Sequence, residues 1–283
     1  MSLTSAPAVR ARAVLPGFRL TLGTTVLYLS IIVLIPIIAL VLTGAGIGPA
    51  RLWAIITAPR TLASLRITIT AAAVATIINA AYGLLMAWVL VRYRFPGRRL
   101  LDALMDIPFA LPTAVAGLSL TALYSANGWF GSVLEPLGLQ VVYTLGGIVL
   151  AMSFTSIPFV VRAVQPVLEE LDPALEQAAA SLGSRGFTTF RRVIFPAIMP
   201  AWLGGVTTSF ARSLGEFGAV VFIAGNLPFK TEIASLLAYI RLEEYDYNGA
   251  AAIALTLVAI AMLLLVVSNL VQLRAARHGA VTA

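Results

Sequence analysis

Arg212 and Glu216 stand four residues apart in an apolar stretch, so on a helix they share one face. Ser209 and Ser213 adjoin them and supply hydroxyl groups. Isolated charges at bilayer depth cost at least about 2.5–3.5 kcal/mol, so both should face a protein interior. Two chemistries fit these four residues. Arg212 and the serines can line a path and offset the charge of a passing anion. Alternatively, Glu216 cancels Arg212, and the pair fixes its helix against neighbours.

Reactive chemistry has far less material. The chain contains no cysteine, which excludes disulfides, iron–sulfur clusters and thiolate chemistry. Its one histidine, His278, lies in an Arg-rich tail, and a zinc site normally needs more such ligands. A phosphate-binding loop needs Gly-Lys-Ser/Thr, whereas the only lysine, Lys230, follows Phe229. No paired carboxylates stand out within the apolar runs. The expectation is a chain with no metal, cofactor or catalytic residue of its own.

The second constellation is EELDPALEQAAASLGSRGFTTFRRVIFPAIMP, which begins at Glu169. Asp172 before Pro173 is a helix start, a capping carboxylate followed by a ring preset to helical φ. Leu175, Ala178, Ala179 and Leu182 recur at helical spacing, and Gly183 suits the left-handed end. Ser184 can cap a second short helix in which Phe187, Phe190 and Ile194 share a face, with Pro196 closing it. The result is a helix–Gly–helix elbow that exposes small alanines and two phenylalanines. It reads either as a hairpin packed on lipid headgroups or as a knob for a socket on a cytoplasmic partner.

The elements around these residues follow from composition. Of 283 residues, 60% are hydrophobic and 11% charged, with mean hydropathy +0.96. A soluble surface needs roughly 25–35% charged residues, so most of this surface must meet lipid. That excludes a soluble enzyme, a nucleic-acid module and a disordered tail. A bilayer core takes about 20 helical residues, and six such stretches are legible: Leu22–Thr43, Ile67–Val91, Asp106–Ser125, Tyr143–Arg162, Ala201–Gly225 and Gly249–Leu273. Loose backbone has no partners in lipid, so the fold class is all-α and polytopic, with about six transmembrane helices in residues 22–273. The first run exceeds the 7–15 residues of a signal-peptide core and contains Pro36, so it reads as a span.

Thirteen basic residues fall on one side: Arg10, Arg12, Arg19, Arg92, Arg94, Arg98, Arg99, Arg162, Arg185, Arg191, Arg192, Arg274 and Arg277. Five fall on the other: Arg51, Arg60, Arg66, Lys230 and Arg241. The bias puts the tails 1–21 and 274–283 in the cytoplasm. It also makes 165–200 a cytoplasmic loop and 226–248 an outer one. The arginines of Arg92–Asp102 fit among anionic headgroups. Pro108 and Pro112 each remove a backbone donor and should bend the third span, as a gate or merely for packing. Asp106 is expected to cap that helix. Ile233, Leu236, Leu237 and Ile240 predict an amphipathic helix at the outer surface, with Glu232, Arg241, Glu243 and Glu244 around it.

Glu176-Gln177-Ala178-Ala179, then Gly183, then Phe195-Pro196, resembles the EAA loop of ABC importer permeases. Gln177 stands where the family's glutamate is usual, and Phe195 replaces the leucine before the closing proline. The turn Arg94-Phe95-Pro96-Gly97-Arg98, the run Pro108–Gly117 and Leu214-Gly215-Glu216-Phe217-Gly218 are similar to oxyanion permeases generally. Gly225-Asn226-Leu227-Pro228-Phe229-Lys230-Thr231-Glu232-Ile233, followed by Arg241–Tyr247, resembles CysT-type sulfate/thiosulfate permeases.

The resemblance implies a type I importer (MetI-like) architecture in a bacterial inner membrane. It implies a second homologous permease, two ATPase subunits that hold ATP and Mg, and an extracytoplasmic sulfate-binding protein. Sulfate or thiosulfate is the implied cargo, membrane lipid the surroundings, and nucleic acid no partner. Asp172, Pro173, Glu176, Gln177, Ala178, Ala179, Gly183, Phe187, Phe190 and Pro196 would couple to the ATPase. Pro108, Pro112, Thr113, Ser209, Arg212, Ser213 and Glu216 would form the path or gate. Lys230, Glu232, Arg241, Glu243 and Glu244 would meet the binding protein. A molybdate or tungstate permease and, more distantly, a secondary anion transporter remain alternatives.

Overall fold

The computed structural model describes residues 18–281, with side chains through Leu270 except that of Arg19. Most of the two tails, and the side chains of Arg10, Arg12, Arg19, Arg274, Arg277 and His278, therefore lie outside the described residues. Helices account for every regular element among the described residues. They run α1 (Leu20–Ile47), α2 (Pro49–Ile56), α3 (Pro59–Arg92), α4 (Arg98–Ala110), α5 (Thr113–Tyr124) and α6 (Leu145–Glu170). Then follow α7 (Pro173–Ser181), α8 (Gly186–Leu214), α9 (Gly218–Ile223), α10 (Ala234–Glu243) and α11 (Tyr247–Val281).

Among the described residues, α1, α3, α6, α8 and α11 are each long and apolar enough to cross a bilayer. The bent pair α4 and α5 makes up to a sixth span. The bend is 115°, so the third span is not the single helix expected over Asp106–Ser125. Leu111 is extended ahead of Pro112, because proline disfavours the helical region for the residue before it.

The fifth span also differs from expectation. Helix α8 begins far earlier than Ala201, stops at Leu214, and a break at 215–217 precedes the short α9. Pro196 does not close the elbow's second helix, because the π-turn Phe190–Ile194 just before it carries the helix onward. The same device, the π-turn Ser30–Leu34, precedes Pro36 in α1. A wide turn accommodates the absent proline donor without ending the helix.

Helices α3, α6 and α8 pack together as the core, because small residues let their backbones approach. A Cβ on Gly83 would stand 2.7 Å from Val160, and one on Gly205 would stand 2.9 Å from Phe159 O. Ala71, Ala72, Ala75, Ile148, Ala151 and Met152 fill one half of this core, and Ala87, Leu90, Val160, Val161, Val164 and Ile198 the other. Helix α1 lies outside and touches α11 at Gly44, whose missing side chain leaves room for Leu255.

Candidate functional site: two facing helix breaks and an elbow

The breaks in the third and fifth spans face each other. Helix α5 packs against α9, and a Cβ on Gly218 would stand 2.1 Å from Thr113 Oγ1. Gly117 likewise admits the Ala219 backbone, 2.4 Å from where its own Cβ would be. Thr113, one of the expected gate residues, therefore stands at this junction. Pro108 lies on the other side of the bend, on the wall of a cavity of about 310 Å³ between α3, α4, α5 and α6.

Glu216 occupies the break itself and is 1% exposed. Its Oε1 accepts the Ala219 amide at 3.0 Å, which caps α9. Its Oε2 lies 2.7 Å from Arg212 Nη1, and its carbonyl accepts the Ser235 hydroxyl at 2.8 Å. Of the two chemistries open to Arg212 and Glu216, this geometry favours the structural one. Arg212 itself keeps a third of its side chain exposed.

Ser209 and Ser213 do not face a path as expected. Both are wholly buried, on the face of α8 that meets α6 and α3. Ser213 donates to Ser156 Oγ at 3.0 Å, and Asn79 Nδ2 donates to Ser156 Oγ at 2.8 Å and Ser209 Oγ at 3.3 Å. Hydroxyls with these neighbours join three helices rather than contact a solute. Asn79, which sequence reasoning passed over, organises this knot. Its signal was a single amide within the apolar run Ile67–Val91.

At the opposite end of α8 lies the elbow. Asp172 accepts the Ala174 amide at 2.9 Å and Pro173 opens α7, as the sequence indicated. Gly183 has φ +77°, the left-handed conformation expected. Gln177 and Ala178 are exposed and Ala179 half-buried. Three details differ. Ser184 caps no helix but accepts the Thr189 hydroxyl at 3.0 Å. Only one phenylalanine is exposed: Phe187 is 77% accessible, whereas Phe190 stacks edge-on against Trp88, its ring centroid 5.2 Å away. Glu176 is no free contact, because it pairs with Arg92 at the end of α3. Arg92 also lies over the Trp88 ring, at 5.4 Å.

Asp106 does not cap its helix through its side chain. Instead Arg162 on α6 donates to Asp106 Oδ1 at 2.8 Å and Oδ2 at 2.7 Å, to Asp102 Oδ1 at 2.6 Å, and to the Asp102 carbonyl at 2.9 Å. A planar guanidinium satisfies this fork as lysine could not. It holds α4 folded against α6.

In the 226–248 loop, Glu232 cannot meet a partner as expected. It is fully buried and takes both Arg60 Nε at 2.9 Å and Nη2 at 2.6 Å. Leu236 and Leu237 are buried in protein, so α10 packs against α11 and α3 rather than lying in the lipid interface. Lys230, Glu243 and Glu244 are exposed, and Arg241 is half-buried. Glu243 raises the phenol pKa of Tyr239 by hydrogen bonding and by its charge.

A family model described as "Binding-protein-dependent transport system inner membrane component" matches residues 79–278. The sulfate transport system permease protein CysT of Salmonella typhimurium is 54% identical over 271 residues, which cover 96% of this chain and 98% of the relative. The CysT protein of Escherichia coli (strain K12) gives the same figures. That of Synechocystis sp. is 46% identical over 248 residues, 88% of this chain and 87% of the relative.

Among solved structures, a bacterial ABC transporter involved in alginate import aligns with TM-score 0.76 at 16% identity, over 91% of this chain and 95% of that one. An amino acid ABC transporter aligns with TM-score 0.56 at 20% identity, over 76% and 94%. Those likenesses identify the fold as that of type I ABC importer permeases. By sequence, the chain belongs to the family of inner-membrane components of binding-protein-dependent transport systems.

Proposed function

We propose that this chain is the membrane-spanning permease subunit of an ATP-driven importer of sulfate or thiosulfate. The elbow carries the reading. It leaves Leu182 and Phe187 87% and 77% exposed. It is tied to α3 through Arg92 and Glu176. It also runs without interruption into α8, which ends at the break beside Glu216. A push on the elbow therefore reaches the centre of the bundle along one helix.

ATP, with its Mg, is bound and hydrolysed on two separate ATPase subunits, seated on the elbow in the cytoplasm, where both termini also lie. A second homologous permease completes the path, and an extracytoplasmic binding protein supplies the anion. Near-full-length identity to CysT proteins supports sulfate as the cargo over molybdate. The exposed acidic Glu243 and Glu244 repel free sulfate, which suits delivery by a carrier.

The test is uptake of labelled sulfate by the assembled transporter in vesicles. Uptake is expected only with ATP and the binding protein, with competition by thiosulfate and not by molybdate. Uptake by this chain alone would overturn the reading.

A further inference from the structure

The elbow-side rim of the bundle carries arginines of two kinds. Arg92 and Arg162 are neutralised by Glu176 and by the Asp102–Asp106 pair. Arg94, Arg98 and Arg99 have no carboxylate partner among the described residues. These three line one open hollow of about 330 Å³, with Phe95 and Gly97 as the rest of its wall. Gly97, at φ +88°, makes the tight turn that brings Arg94 and Arg98 to the same side. Tyr93, Leu100 and Leu104 beside them are exposed and apolar.

Three unneutralised guanidinium groups around a hollow bind an oxyanion through paired N–H donors. From this juxtaposition we infer that Arg94, Arg98 and Arg99 bind a phosphate-type oxyanion, and that it is carried on an anionic lipid headgroup. The flanking apolar side chains select the lipid, since a free anion has no use for them. Each basic group near an anionic bilayer adds measurably to attraction, so three give a preference on the order of tenfold or more.

The experiment uses the assembled transporter in vesicles of phosphatidylcholine alone or mixed equally with phosphatidylglycerol. It is then extracted gently, and the retained lipids are identified by native mass spectrometry. Wild type is expected to retain phosphatidylglycerol in preference on the order of tenfold. R94Q/R98Q/R99Q should lose that preference, and R191Q/R192Q, which alters exposed arginines outside the hollow, should keep it. If the triple variant fails to insert, R94Q and R99Q singly, at exposed positions, carry the same comparison. Equal retention by wild type and variant overturns the inference. Displacement of the lipid by inorganic phosphate or sulfate, but not by chloride at matched ionic strength, makes the occupant a soluble anion and overturns the lipid assignment. Loss of the ATPase from the variant with lipid retention unchanged assigns the arginines to that protein and also overturns it.

Discussion

Glu232 and Arg60 are separated by 172 residues and joined by two parallel charge-assisted bonds, at 2.6 and 2.9 Å. The carboxylate is fully enclosed and the arginine only partly so. The pair pins the loop before α10 to the N-terminal end of α3, and about two turns further along α3 the Thr68 hydroxyl accepts the Ala234 amide. Arg60→Ala strands a buried carboxylate and should cost about 3 kcal/mol. A lowered unfolding temperature of the detergent-solubilised complex checks this. Lys230→Ala removes an exposed charge at the other end of the loop and should leave that temperature unchanged while weakening capture of the binding protein. Equal destabilisation by both variants would remove the distinction between anchor and contact.

Phe187 and Phe190 divide the elbow between its two tasks. Phe190 packs against Trp88 and Phe195, so Phe190→Ala should cost on the order of 3 kcal/mol through the cavity it leaves. Phe187→Ala removes an exposed ring and should leave stability within about 0.5 kcal/mol. Its effect is expected instead on co-purification of the ATPase. A Phe187→Ala complex that retains the ATPase and full uptake would show that the exposed ring is no contact.

Gly183→Pro, or a bulky residue at Ala179, should abolish ATP-coupled uptake with membrane insertion intact. Proline cannot adopt the φ of +77° at Gly183, and the alanine face of α7 permits close approach only while its side chains stay small. Insertion is read by fractionation and coupling by uptake in the same membranes. Normal uptake in either variant would sever the elbow from the transport cycle.

How far the sequence disclosed this arrangement depended on the distance between cause and effect. The apolar runs and the elbow rest on local rules, so Asp172, Pro173 and Gly183 stand where spacing put them. The depth of the third-span bend was not legible, because it is held by Arg162, which is 56 to 60 residues from the aspartates it grips. Glu232 read as a surface charge because it flanks a predicted amphipathic helix, and its enclosure goes with Arg60, 172 residues away in the chain. Ser209 and Ser213 turn from α8 into α6 and α3, whereas Arg212 beside them keeps a third of its side chain exposed. Their partners Asn79 and Ser156 gave only isolated polar letters in apolar text.

The Arg212–Glu216 pair allows its structural role and a path role to be separated by a double-variant cycle. Arg212→Gln alone leaves a buried carboxylate without its counter-charge and should destabilise the complex by about 3 kcal/mol. Glu216→Gln alone strands the arginine but keeps an oxygen for the Ala219 amide, so its cost should be smaller. Changing both removes the charges together and preserves the cap, and stability should return to within about 1 kcal/mol of wild type. If the pair is structural, sulfate uptake returns with stability, because the break keeps its shape. A double variant that is stable and fully assembled yet carries no sulfate would instead place the Arg212 charge in the path of the anion. The cycle is informative because Glu216 has two oxygens with two separate duties, capping α9 and balancing Arg212, and glutamine retains only the first.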